Sequence, residues 1–166
     1  MNTEAIRELL PIDGKCRCGK VGIRIDAPPI ITMACHCSGC QRMSASAFSL
    51  SAAIPRDAFA ITRGEPVIGG LHGTEAQHFF CPYCMTWMFT RPGDESLPFV
   101  NIRPTMLHHS DWFTPFIETY TSERLPWAMT PAVHSFEKFP PFESYESLSR
   151  EYAQRIELRT HAPEGR

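Results

Sequence analysis

Apolar and polar positions alternate along most of the chain in short bursts interrupted by proline and glycine, the pattern of strands joined by tight turns. Val21, Ile23 and Ile25 alternate with Gly22, Arg24 and Asp26, predicting a half-buried strand that ends at Ala27-Pro28-Pro29. Ile30-Ile31-Thr32 predicts a second strand, Phe48 to Ala52 a third, Phe59-Ala60-Ile61 a fourth and Leu97 to Ile102 another. Gln77 to Phe80 and Thr86 to Phe89 read as two strands joined through Cys81-Pro82-Tyr83-Cys84, and Gln41 to Ala47 as a loop or single helical turn. Helical spacing occurs only near the two ends. Ile6, Leu9 and Leu10 predict a short helix closed by Pro11, or a loose lead-in, while Tyr145, Leu148, Tyr152 and Ile156 predict a helix over 142–156 followed by a loose tail at 157–166.

The predicted class is therefore mainly β, a compact fold of antiparallel sheets with a few short helices and a C-terminal helix. A lead-in over 1–13, one domain over 14–140 and a helix and tail over 141–166 packed on that domain are expected. A chain of 166 residues suits a single domain with a genuine core. Its 15 prolines favour short strands and ordered loops. A net charge of -2 without a Lys/Arg cluster argues against nucleic-acid binding. No apolar run reaches the roughly 20 residues that cross a bilayer, so no membrane span is expected. Met1 to Ala5 lacks the features of a signal peptide, which makes the cytoplasm the expected location.

In a reducing compartment, seven cysteines, an odd number, point to metal rather than disulfides. Side chains two apart on an extended backbone point the same way, so Cys16 and Cys18 can share an ion. Cys35 and Cys37 can do likewise, with His36 directed to the other side. The Ser38-Gly39 turn then returns Cys40 to the same ion, as in a zinc knuckle, and three thiolates on a metal that prefers four ligands leave one corner for water or substrate.

Cys81 and Cys84 need further ligands. Spacing alone allows Cys16 and Cys18 to complete them, but equally allows a local site of Cys16, Cys18, Cys37 and Cys40. A redox pair of Cys37 and Cys40, or a metal closed by His36 or a distant histidine, are further readings of the three-cysteine segment. The remaining histidines, His72, His78, His108, His109, His134 and His161, show no ligand spacing and are expected to be ordinary. Trp87, Phe113, Phe116, Tyr120 and Trp127 are expected to be core or sheet cover.

Three motifs taken together, Cys16-Arg17-Cys18-Gly19, Cys35-His36-Cys37-Ser38-Gly39-Cys40 and Phe80-Cys81-Pro82-Tyr83-Cys84, resemble the pattern of the glutathione-dependent formaldehyde-activating enzyme family, which includes centromere protein V. The resemblance implies two zinc ions per chain, a structural one on Cys16, Cys18, Cys81 and Cys84 and a catalytic one on Cys35, Cys37 and Cys40. It implies a carbon–sulfur lyase that joins glutathione or a similar thiol to formaldehyde or a related small aldehyde. The alternative it carries is a non-enzymatic zinc-binding β-module with a protein partner. Two positions depart from the family pattern: Ala45 and Met85 stand where glycine is usual. The donor set bears on the chemistry too, since three thiolates make zinc a weaker Lewis acid than three histidines do and suit it to a fourth sulfur better than to hydrolysis.

Overall fold

The structure is a computed structural model and describes residues 4–71 and 73–158. In chain order its elements are α1 (Glu4–Leu9), β1 (Ile12–Lys15), β2 (Gly22–Ile25), β3 (Ile31–Cys35), α2 (Ser38–Ser44), β4 (Ser49–Pro55), β5 (Phe59–Arg63) and β6 (Val67–Gly69). They continue with β7 (Ala76–Phe80), β8 (Trp87–Pro92), β9 (Phe99–Ile102), β10 (Ile117–Thr119), β11 (His134–Ser135) and α3 (Tyr145–Leu158).

The strands form a three-stranded sheet, β1-β2-β5, and an eight-stranded sheet, β11-β10-β3-β4-β9-β8-β7-β6. The mainly β class is as predicted, but the larger sheet is mixed at one edge. There β10 runs parallel to both β3 and β11, because the chain leaves β9 and returns on the far side of β4. Thr32 fixes that return: its hydroxyl donates to the Thr114 carbonyl at 2.7 Å, and its own carbonyl accepts from the Phe116 N–H at 3.0 Å.

Two cores follow from this layout. The larger gathers Ile12, Ile23 and Ile25 from the small sheet, Ile54, Met88 and Ile102 from the large one, and Ile6 from α1. Each such side chain contributes about 1.5–3 kcal/mol when taken out of water. The second core lies under α3, whose Leu148, Tyr152 and Ile156 pack against Ile31, Phe116 and Ile117. Those helix residues are three of the four whose spacing predicts the helix; the fourth, Tyr145, is its first residue. The helix extends two residues beyond the predicted end, to Leu158, and the rest of the expected tail, 159–166, lies outside the described residues, as do His72 and His161.

Asp13-Gly14 is a turn signal in sequence terms, yet it forms the middle of β1. A glycine is required there because a Cβ on Gly14 would lie 2.9 Å from the Met106 carbonyl oxygen. The aromatic segment from Trp112 to Tyr120, whose Phe113, Phe116 and Tyr120 are expected to be core or sheet cover, contains β10 itself, with Trp112 1% exposed in the main core. Among the described residues, no helix is long and apolar enough to cross a membrane.

Candidate metal centres

Two clusters of thiols occur among the described residues, and they use all seven cysteines. The first joins Cys16 and Cys18, ahead of β2, to Cys81 and Cys84 in the turn between β7 and β8. Each half is a tight backbone loop: the Gly19 N–H bonds the Cys16 carbonyl, and the Met85 N–H bonds the Cys81 carbonyl. Cys16 Sγ lies 3.5 Å from Cys18 Sγ, which lies 3.7 Å from Cys81 Sγ, and all four sulfurs fall within 4.8 Å of one another. Four sulfurs around a tetrahedral zinc at about 2.3 Å stand about 3.8 Å apart, so this donor set and spacing fit that ion. They do not fit a disulfide, whose sulfurs are about 2.05 Å apart. Burial pushes the Cys84 thiol up, but bonds from the Thr86 hydroxyl and the Cys18 and Thr86 backbone bring it down to about 5.

The second cluster is Cys35, Cys37 and Cys40, again within 4.8 Å of one another and with no fourth His, Cys, Asp or Glu among the described residues. Cys35 is the last residue of β3, held between Ser49 of β4 and Thr119 of β10. Cys37 caps α2, its Sγ accepting from the Cys40 N–H at 3.3 Å, and that turn brings Cys40 back to the other two sulfurs. The local site of Cys16, Cys18, Cys37 and Cys40 does not form, because Cys37 and Cys40 belong with Cys35. The sequence reading makes α2 at most a single turn beginning at Gln41, whereas it spans seven residues from Ser38. The Cys40 thiol, together with Thr119 and Cys37, holds Cys35 down to about 5 against burial. Cys40 is pushed up by sharing its proton with Cys35 and by burial, and Cys37 is raised, chiefly by burial.

His36 does point away from the sulfurs, but into the protein rather than to the surface: it is 0% exposed. Its Nε2 lies 3.0 Å from Glu118 Oε2. Glu118 also accepts from Arg124 at 3.1 Å, Thr130 at 2.8 Å and Ser135 at 2.6 Å. The knuckle is tied to the same stretch by Gln41, whose side-chain amide donates to the carbonyls of His36 (2.6 Å) and Glu123 (3.0 Å). The His36–Glu118 and Gln41–Glu123 contacts each cross 82 residues and have no local signature in the sequence.

Beside α2 lies a cavity of about 400 Å³. Its wall approaches the three-sulfur cluster through Ser49, opposite Cys35 across the β3/β4 ladder, and Ser44, whose hydroxyl donates to the Cys40 carbonyl at 2.7 Å. The far wall is Met85, Thr86 and Trp87, so the loop that carries the first cluster also encloses the space beside the second. Trp87 is thus both buried and a cavity residue. Trp127 departs from its expected place as core or sheet cover: it is 73% exposed and, with Leu125, Gln41 and Arg42, borders a second, more open depression.

Ala45 and Met85 have φ of 49° and 54°, in the left-handed region. Their neighbours require it. Ala45 closes α2 by turning its N–H to the Gln41 carbonyl, and Met85 closes the Cys81 loop. A glycine would take either conformation without a Cβ clash, which accounts for the residue usual at both places.

A family model described as glutathione-dependent formaldehyde-activating enzyme matches residues 11–123. Among solved structures, the chain is similar to a Rhodobacter sphaeroides protein at 22% identity and a TM-score of 0.47, over 58% of this chain and 87% of that one. No curated protein matches.

Proposed function

This chain belongs to the glutathione-dependent formaldehyde-activating enzyme family, and from that premise we propose that it is a zinc-dependent carbon–sulfur lyase acting reversibly on the adduct of a small thiol, glutathione or a relative, with formaldehyde or a related small aldehyde. Cys16, Cys18, Cys81 and Cys84 hold the structural zinc. Cys35, Cys37 and Cys40 hold the catalytic one. The observation that carries the reading is the asymmetry between the clusters: one has four sulfurs, the other three sulfurs and a cavity beside it.

A soft zinc ion on three thiolates supplies an affinity for a fourth sulfur and stabilises a substrate thiol as thiolate at neutral pH. The chain's own residues do the rest. Cys35 is fixed by β4 and β10 and Cys40 by the α2 turn, so the three sulfurs keep one geometry without rearrangement. Phe48 and Trp87 line the adjoining cavity with apolar surface and displace water from the incoming thiol. In the addition, the sulfur–carbon bond forms as the carbonyl π bond opens, and the proton lost by the thiol is made up by one taken onto the carbonyl oxygen. Removing a proton from that hydroxyl reverses the step and releases thiol and aldehyde. Seven unpaired thiols suit a reducing compartment, in keeping with a cytoplasmic location.

The exposed Trp127 and Met129 favour the second reading, a zinc-built module that docks a protein partner. The two are separated by activity. Adduct formation from glutathione and formaldehyde, measured above the uncatalysed rate, should require bound zinc and be lost in Cys37→Ser. Full activity in that variant would refute the enzymatic reading.

A further inference from the structure

Among the described residues, the lining of the cavity beside α2 carries a single charged side chain, Arg103, and no carboxylate. Arg103 follows β9 and donates through Nη1 to the Leu50 carbonyl (3.0 Å) and the Ser51 hydroxyl (2.7 Å), and through Nη2 to the Thr90 hydroxyl (2.9 Å). Its Nε is buried with no acceptor, so of five N–H groups one on Nη2 and that on Nε are uncommitted among the described residues. The guanidinium carbon sits 3.6 Å from the centre of the Trp87 ring, which holds the plane of the fork in place.

The hydrogen-bond acceptors of Arg103 are all neutral, and the negative charges that reach it, Cys40 and Cys35, belong to the three-sulfur cluster and not to the cavity wall. Burial lowers the Arg103 pKa to about 10, with the Cys40 and Cys35 charges opposing the fall, so the group remains a cation at neutral pH. The polar groups sharing the cavity wall are hydroxyls, among them Ser46, Ser49, Thr86 and Thr105, which can all donate. A guanidinium fork that shares a cavity wall with several hydroxyls, with no acid among the lining residues, is complementary to a carboxylate.

We propose that Arg103 and these hydroxyls form a carboxylate subsite that selects an anionic thiol over a neutral one. The proposal rests on the thiol-capture reading above and gives it a specificity residue. Because Ser49 adjoins the Cys35 end of β3, a thiol whose sulfur reaches the cluster can place a carboxylate in the same cavity.

The test compares the zinc-loaded wild type with Arg103→Met and Arg103→Lys, using glutathione and its diethyl ester, which keeps the thiol and removes both carboxylates. The wild type should prefer glutathione. Arg103→Met should raise the KM for glutathione by about 10- to 100-fold, leave that for the diester unchanged, and so erase the preference, with Arg103→Lys restoring part of it. Equal losses for both thiols, or no preference in the wild type, would overturn the proposal and leave Arg103 as a tie between β4, β8 and β9. If no thiol is turned over at all, the catalytic reading fails instead. Calorimetric binding of glutathione without aldehyde then decides the subsite, which stands if Arg103→Met weakens binding and falls if it does not.

Discussion

His36 Nε2 meets Glu118 Oε2 at 3.0 Å with both side chains withdrawn from water, so the residue between two cluster cysteines is anchored to a strand 82 residues away. The backbone around Cys35 and Cys37 thereby has little freedom to follow an incoming ion. His36→Ala removes that bond and leaves a void, which should lower unfolding free energy by about 2–4 kcal/mol in urea titrations. A loss below about 1 kcal/mol would mean that Gln41 and the β3 ladder hold the knuckle alone.

Glu118 also sets a pH dependence. Burial pushes its carboxyl up, but bonds from Ser135, Thr130 and His36 outweigh burial and hold it below its ordinary value of 4.5. As pH falls, the unfolded chain takes up the proton first, so the stability contributed by the ionised group is complete above about 4.5 and is lost as pH drops through the lower folded value. Glu118→Gln should therefore be least stable relative to wild type near neutrality, with the gap closing only as pH falls below about 4.5 and through the lower folded value. Thiolate protonation is common to both proteins and cancels in the difference. A constant gap across that range would contradict the assignment.

Ala45 and Met85 each hold a left-handed backbone conformation that disfavours a Cβ by about 1 kcal/mol. Both side chains are exposed, so glycine loses little packing. Ala45→Gly and Met85→Gly should each raise the melting temperature by about 2–4 °C. Met85→Gly also removes a side chain from the cavity wall and should alter KM for the thiol, which Ala45→Gly, outside that lining, should not. A lower melting temperature for Ala45→Gly would show that the helix end gains nothing from glycine.

The four-sulfur cluster ties the start of β2 to the β7–β8 hairpin, with Cys16 and Cys81 inside the main core. Cys81→Ser should consequently lose cooperative unfolding or fail to accumulate, because a metal held there would contribute to the folding free energy. Cys37→Ala should fold with one metal fewer. If circular dichroism melts show both variants equally disrupted, the division into a structural and a working site is wrong.

Much of this layout was legible beforehand from local pattern. Alternation marked β2 and β4, helical spacing marked α3, and the paired cysteines marked both knuckles and the hairpin between β7 and β8. β1 has no alternation to mark it, and its Asp13-Gly14 pair, residue types that favour turns, sits in a strand where Met106 approaches the backbone closely. β10 was hidden in an aromatic segment whose three strand residues are defined by their partners β3 and β11. Arg103 and Glu118 were missed for the same kind of reason. A single arginine after a strand and a single glutamate within one have no periodicity, and their meaning comes from residues about 50 and 82 positions away.

The central claim is that Cys35, Cys37 and Cys40 leave a metal position open to a substrate sulfur. Replacing zinc with cobalt and titrating glutathione while recording the sulfur-to-cobalt absorption tests it most directly. The wild type should show a saturable new thiolate band that is absent in Cys37→Ser, whereas a fully loaded wild type whose spectrum stays constant at every glutathione concentration would contradict the claim.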